Sequence, residues 1–402
     1  MSEGNDYNSA IGSDAVPPHH HAHFGSGSCA ICAAEGILGP ADLWTSETAE
    51  PPVALRKLYD KAIVIDALAS PNTFNVNYPP AGRQYTAEQL ENVRRSGITA
   101  LNLTIGGAVG STSVAEMLSW IKDVKDDIAA NPDALILIER PSDINRAKEK
   151  GLLGIIFGFQ GLEFMQDDLP SIDRFADESV MIMQLTYNGD SKIGSGCLVT
   201  NSDAGLKPVG NQAVSHINRR RRVVDLSHSH PQTALEAARA SSAPIIVSHS
   251  ACREIYNHPR NQPDEVLRAV ADGGGVFGIF MMPYLGQDPV YASRGLFNRH
   301  LVHALSVCGE DHVGIGSDNS ITPIQYNDGH REALEAFIAG RDDRGVSAPL
   351  DGIGPYIVPG LNTPRRLEVA AWDLSKAGYS DRVIEKVLGQ NFQRVFAEIW
   401  AE

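Results

Sequence analysis

INRRRRVVDLSHSHPQTALEAARASSAPIIVSHSACREIYNHPRNQPDEVLRAVADGGGVFGI, residues 217–279, alternates short apolar runs with amphipathic stretches. RVVDLSHS (222–229), APIIVSHS (243–250) and GGVFGIFMM (274–282) are nearly continuous in apolar residues, as expected of parallel strands covered on both faces. Between them, PQTALEAARAS (231–241) and PDEVLRAVADG (263–273) have helical spacing, and each opens on a helix-start proline. Strand, helix, strand, helix, strand is the βαβ unit of an α/β protein.

The pattern continues outward. AIVIDAL (62–68), ITALNLTI (98–105), LLGIIFGFQ (152–160), VMIMQLTYN (180–188) and HVGIGSD (312–318) bring the strand-like runs to eight, and SVAEMLSWIKDVKDDIAA (113–130) is a further helix. Eight alternations predict a (β/α)8 TIM barrel, with a doubly wound sheet as the alternative. The polar residues favour the barrel. Asp66, Gln160, Tyr187, Asn188, His228, His249 and Asp318 all stand at the C-terminal ends of runs, which a barrel gathers on one rim. Residues 283–311 and 319–362 are expected as loops and helices over or beside that rim, and 365–400 as two closing helices.

The barrel domain is placed at 51–402. Residues 1–50, rich in Gly, Ser, Ala and Pro, read as an arm. His19, His20, His21 and His23 precede a C-x-x-C of Cys29 and Cys32, but no second ligand pair follows at zinc-knuckle spacing, so a flexible His-rich segment is the better reading. A formal net charge of −15 argues against nucleic acid or an anionic membrane as partner. Five cysteines without even spacing fit reduced thiols, and neither a secretory leader nor a run of about 20 apolar residues is apparent. A cytoplasmic protein is the expectation.

Two imidazoles at neighbouring strand ends, His228 and His249, are natural donors to a divalent metal; the plainer reading is two histidines hydrogen-bonded in the rim. Asp318 could bind metal, act as general base or hold a histidine, or simply cap a helix. Arg260 could clamp a substrate carboxylate in bidentate fashion, or pair internally with Asp264.

These pieces resemble the membrane (renal) dipeptidase family, peptidase family M19. The stretch 217–279 carries the resemblance through DLSH, SHS, HPRN-x-PDE and GGGVFGI, supported by QLTYN, GLKPVGNQAV and HVGIGSD, over roughly residues 60–330. The resemblance implies a pair of zinc ions joined by a bridging carboxylate, which activate a water for peptide-bond hydrolysis. It places two metal-ligand histidines on His228 and His249, the substrate-binding arginine on Arg260, and a last-strand metal ligand and base on Asp318. It also implies that homodimers occur.

Three departures matter. The family's first strand ends D-G-H-x-D, but here IDALAS keeps Asp66 and puts Leu68 and Ser70 at the ligand positions. The bridging glutamate is replaced by Gln160, whose neutral amide is a weak ligand. A catalytic histidine is replaced by Tyr187, whose hydroxyl can still bond an oxyanion. Glu163, three residues past Gln160, is expected as a solvated loop residue.

Three readings follow. The first is a metallohydrolase cleaving a small amide or dipeptide. One zinc sits on His228 and His249, completed by Gln160, Asp318 or water; Asp318 takes the proton, and Arg260, Tyr187 and Asn188 hold the substrate. The second is a metal-independent hydrolase, lyase or isomerase using a His with Asp318. The third is a non-catalytic binder of a carboxylate ligand.

Overall fold

All eight apolar runs become strands of one barrel. The computed structural model describes residues 51–76, 85–106, 113–287, 293–352 and 356–401; the His/Cys arm lies outside them. The strands are β1 (Ile65–Asp66), β2 (Ala69–Ser70), β3 (Ala100–Thr104), β4 (Leu135–Leu137), β5 (Leu153–Gln160), β6 (Val180–Gln184), β7 (Val223–Asp225), β8 (Ile246–Ser250), β9 (Val276–Ile279), β10 (Val313–Ile315) and β11 (Asn319–Ser320). Eight of them pair in parallel in the order β1-β3-β5-β6-β7-β8-β9-β10. The Ala67 N–H donates to the Ile315 carbonyl at 2.9 Å, joining the first strand to the last. Above that junction β11 pairs with β2, Asn319 against Ala69. The fold is therefore the (β/α)8 barrel, not the open sheet.

β4 is absent from the eight runs. It flanks the first half of β5, on the edge that β6 takes over from Phe157 onward. Three residues are too short a run to show a period.

The alternation along each strand explains why the runs look continuous. Leu101, Phe157, Met183, Val224, Val247 and Phe277 belong to the large core shared with the helices. Their neighbours Ala100, Ile156, Ile182, Val223, Ile246 and Val276 belong to a second core, together with Phe392, Val395 and Phe396 of the C-terminal helix Asn391–Ile399. Both faces of these six strands thus pack into a core, as all-parallel sheets require.

Local signals set the helix ends. Ser113 and Glu116 form a reciprocal capping box at the start of Val114–Ala129, satisfying two otherwise orphaned N–H groups. Pro231 opens its helix at the first position, whereas Pro263 stands one residue earlier as the N-cap. The tail differs from two plain helices. After Arg366–Lys376, the second is Asp381–Glu385, a π turn Lys386–Gln390 and then Asn391–Ile399. The irregularity lets Gly389 lie against the backbone before β1, where a Cβ would come within 2.5 Å of the Ile63 carbonyl.

Candidate active site

The C-terminal rim carries the predicted residues, and two of them adopt unusual backbone. His228 (φ 62°) and Asp318 (φ 58°) are left-handed although neither is glycine, a conformation costing on the order of 1–2 kcal/mol. Both lie just beyond barrel strands, β7 and β10, where the turn redirects the side chain over the barrel mouth. The Asp318 N–H is anchored to the Leu68 carbonyl at 2.8 Å. Asp318 heads no helix, since β11 follows it, so the capping alternative does not apply.

His228 and His249 meet, with their Nε2 atoms 3.0 Å apart. Each is oriented from behind. His228 Nδ1 lies 2.6 Å from the Asn188 side-chain oxygen, and the amide of Asn188 is fixed because its nitrogen donates to the Val346 carbonyl at 2.7 Å. His228 Nδ1 therefore carries the proton and its Nε2 is a bare lone pair. His249 Nδ1 lies 2.7 Å from Ser248 Oγ, which contacts Asp225 Oδ2 at 2.5 Å. Burial, with the Arg260 charge adding to it, holds both imidazoles well below the ordinary histidine value, so both are neutral.

The proton on the Asp225–Ser248–His249 chain decides what the pair does. With Asp225 ionised, Ser248 donates to it and accepts from His249 Nδ1, and two Nε2 lone pairs face each other. That set fits one cation, since two nitrogens on a tetrahedral ion lie about 3.3 Å apart for bonds of about 2.0–2.1 Å. With Asp225 protonated, Ser248 turns to donate to His249 Nδ1, and His249 Nε2 donates to His228. Burial raises the Asp225 carboxyl above its usual range, against the bonds from Ser248 and Ser227.

The second metal of the resembled family does not fit. Leu68 is 1% exposed and packed as hydrocarbon. Ser70 Oγ donates to Asn72, and the Gln160 amide nitrogen is spent on Thr104 Oγ1 at 3.0 Å.

Among the described residues, Glu254, Asp264 and His303 are the one trio of His, Cys, Asp or Glu side chains whose ligand atoms all lie within 4.8 Å of one another. It includes none of the predicted rim residues and is already paired, Asp264 taking His303 at 2.7 Å and Arg268 at 3.2 Å. Hence Asp318 is not a close third donor to the imidazoles in this arrangement. The charges of Arg260 and Arg341 act on both Asp318 and His228. Burial pushes the Asp318 carboxyl up to about 7 against Arg260, which leaves it poised to accept a proton near neutrality.

Arg260 is 2% exposed, and neither terminal nitrogen has a hydrogen-bond partner among the described residues. Asp264, its alternative partner, is taken by His303 and Arg268. A buried guanidinium with both fork nitrogens open is an unmet demand for an anion. Its loop is pinned by Ser250 Oγ donating to the Arg260 carbonyl at 2.8 Å. Asn188, by contrast, spends its side chain on His228, Val346 and Cys197, and so supports the site rather than facing it. Tyr187 keeps some exposure, stacks on His228 at 4.3 Å, and accepts from Arg341 at 2.7 Å.

Two residues escape the sequence reading. Arg341, in the helix Asp328–Asp342, is 5% exposed and also bonds Asp351 at 3.1 Å. Glu163 is not solvated. One oxygen accepts the Tyr187 N–H at 2.5 Å and the other is buried without a partner. Burial pushes its carboxyl up to about 7. The 3₁₀ turn Glu163–Met165 folds it back, and no periodicity announces such a turn.

The sequence model of the membrane dipeptidase family (peptidase family M19) matches residues 55–330. An uncharacterised dipeptidase of Schizosaccharomyces pombe is 26% identical over 311 residues, 72% of this chain and 76% of that protein. The structure of an amidohydrolase from Pseudomonas aeruginosa superposes with a TM-score of 0.73 at 28% identity, covering 87% of this chain and 99% of that one. A Rhodobacter sphaeroides metallopeptidase, solved with a phosphinate mimic of the dipeptide L-Ala-D-Ala, shares the fold. Its TM-score is 0.67 at 18% identity, over 85% of this chain and 100% of that one.

Proposed function

The chain belongs to the membrane dipeptidase family, and from that premise we propose that it hydrolyses a small amide or dipeptide bearing a free carboxylate, using one zinc ion. The observation that carries this reading is the convergence of His228 and His249 Nε2 at 3.0 Å, each oriented by a hydrogen bond from behind. A divalent cation held by those two nitrogens would polarise the scissile carbonyl and make a water acidic near pH ~7.

The remaining work falls to the chain's own groups. Arg260 binds the substrate carboxylate with its open fork, which places the neighbouring amide over the imidazoles. Asp318, ionised to a useful degree at neutral pH, accepts the proton of the attacking water and returns it to the leaving amine nitrogen as the C–N bond breaks. Tyr187 hydrogen-bonds the oxyanion. Asn188 and the Ser248–Asp225 pair hold the two imidazoles in the tautomers that turn Nε2 inward.

The test is a panel of dipeptides and N-acyl amino acids assayed on zinc-loaded protein, with metal measured by elemental analysis. Hydrolysis confined to carboxylate-bearing substrates is the expected result. No turnover across the panel with metal bound would overturn the reading. The 3.0 Å between the two Nε2 atoms is also an ordinary hydrogen-bond distance and favours a second reading, a metal-independent enzyme on the same rim, in which His249 donates to His228 with no cation between them. Full activity with less than about a tenth of an equivalent of metal would select it.

A further inference from the structure

We infer that Arg341 is a positioning residue that makes the Tyr187 hydroxyl a one-directional donor to the substrate's oxyanion, and that the segment 343–351 exists to hold it there. The inference rests on the hydrolase reading above and adds a residue that no barrel strand supplies.

A phenol has one proton and can also accept. Arg341 Nη1 donates to Tyr187 Oη at 2.7 Å. A guanidinium has no acceptor, so the phenol must accept there, and its own proton is left for another partner. The choice of partner is narrow. The ring lies flat on His228, 22° from parallel at 4.3 Å, and the hydroxyl is close enough to feel the charges of Arg260 and Asp318. On the hydrolase reading a carboxylate-bearing amide spans Arg260 and His228, which brings its carbonyl to the phenol stacked on His228. A phenol keeps its proton at neutral pH, so the hydroxyl is a donor. The backbone below the ring is also fixed, by the Tyr187 N–H on Glu163.

Arg341 is itself held on three sides. Its Nε donates to Asp351 at 3.1 Å and its Nη2 to the Val346 carbonyl at 3.1 Å, while its charge lies 5.6 Å from the Tyr187 ring centre. The segment behind it is tied to the rim. Asn188 donates to the Val346 carbonyl at 2.7 Å, His258 to the Pro349 carbonyl at 2.8 Å, and the Tyr284 hydroxyl to Asp351. One segment thus connects the residue that orients His228 with the residue that orients Tyr187. A guanidinium used only for stability would need Asp351 alone. The bond to a partly buried phenol stacked on His228 is the surplus that calls for a role.

The experiment measures binding by calorimetry on zinc-loaded full-length protein, with two probes. A phosphinate dipeptide mimic carries a tetrahedral oxyanion and a carboxylate; N-acetylalanine carries the carboxylate with a planar amide. Tyr187→Phe removes one oxygen atom, and Arg341→Lys keeps the charge beside Asp351 while giving up the bond to Tyr187. Each should weaken the phosphinate about 10- to 100-fold, the worth of a charge-assisted bond, and leave N-acetylalanine within about threefold. The double variant should match Tyr187→Phe alone, because Arg341 acts through the phenol. In turnover the same variants should lower kcat with KM held. Unchanged phosphinate affinity in folded Tyr187→Phe, or additive losses in the double variant, would overturn the inference alone. Wild-type protein that binds neither probe would overturn the hydrolase reading, and this inference with it.

Discussion

At the scale of single residues, the site is a set of protonation states imposed by what stands behind each group. His249 illustrates this. It is fully buried and neutral, so its only exits are Ser248 at Nδ1 and the space at Nε2. His249→Ala should abolish both metal retention and activity, checked by elemental analysis and a dipeptide assay; full activity would refute the metal reading. Glu163 offers a prediction about stability. Its carboxyl rises from 4.5 to about 7 on burial. Between those values the unfolded chain has released its proton and the folded one has not. The folded state binds more protons, so stability falls as pH rises through the window and stays low above it. The loss is on the order of 3 kcal/mol. Glu163→Gln mimics the protonated form and keeps an acceptor for the Tyr187 N–H. Its melting temperature should gain on wild type steadily from pH ~5 to ~8. A constant difference across that range would count against the buried carboxyl.

At the scale of elements, strands supply the ligands and a helix-loop element supplies their control. β7 and β8 pair side by side, and the left-handed turn just beyond β7 brings His228 to His249. The helix Asp328–Asp342 and the turn after it then add Arg341 and Asp351 from outside the repeating βα pattern. Removing one partner of such a buried pair leaves an uncompensated charge, at a cost of about 3–5 kcal/mol. Asp351→Ala should therefore release this segment. Limited proteolysis should cut within 343–352, with a fall in kcat, while the barrel's own melting shifts little. A variant as protease-resistant as wild type would show that Asp351 does not hold the segment.

At the scale of the whole molecule, the barrel is a scaffold whose rim carries the proposed single-metal site. The family resemblance set Leu68 and Gln160 at ligand positions that neither can serve well, and the structure gives each another task, Leu68 in the core and Gln160 on Thr104. Saturating the protein with zinc, removing the excess and counting by elemental analysis should return about one equivalent per chain. Two equivalents, lost together in His249→Ala, would mean that some other group replaces the missing ligands. Among the described residues no helix is long and apolar enough to cross a membrane.

The eight strands of the closed barrel, and the places of His228 and His249 at the ends of neighbouring ones, were legible in the amino-acid sequence; β4 was not. They depend on local hydrophobic period and on neighbouring strands ending at one rim, and both are properties of short windows read in chain order. Arg341 and Glu163 did not follow. The Arg341–Tyr187 bond spans 154 residues, and Asn188 reaches Val346 across 158. No pattern within a window encodes such a pairing. The tertiary structure alone decided which nitrogens face each other, which arginine keeps an open fork and which carboxylate is shut away from water. Those outcomes depend on distances of a few ångströms between segments that meet only after the barrel has closed.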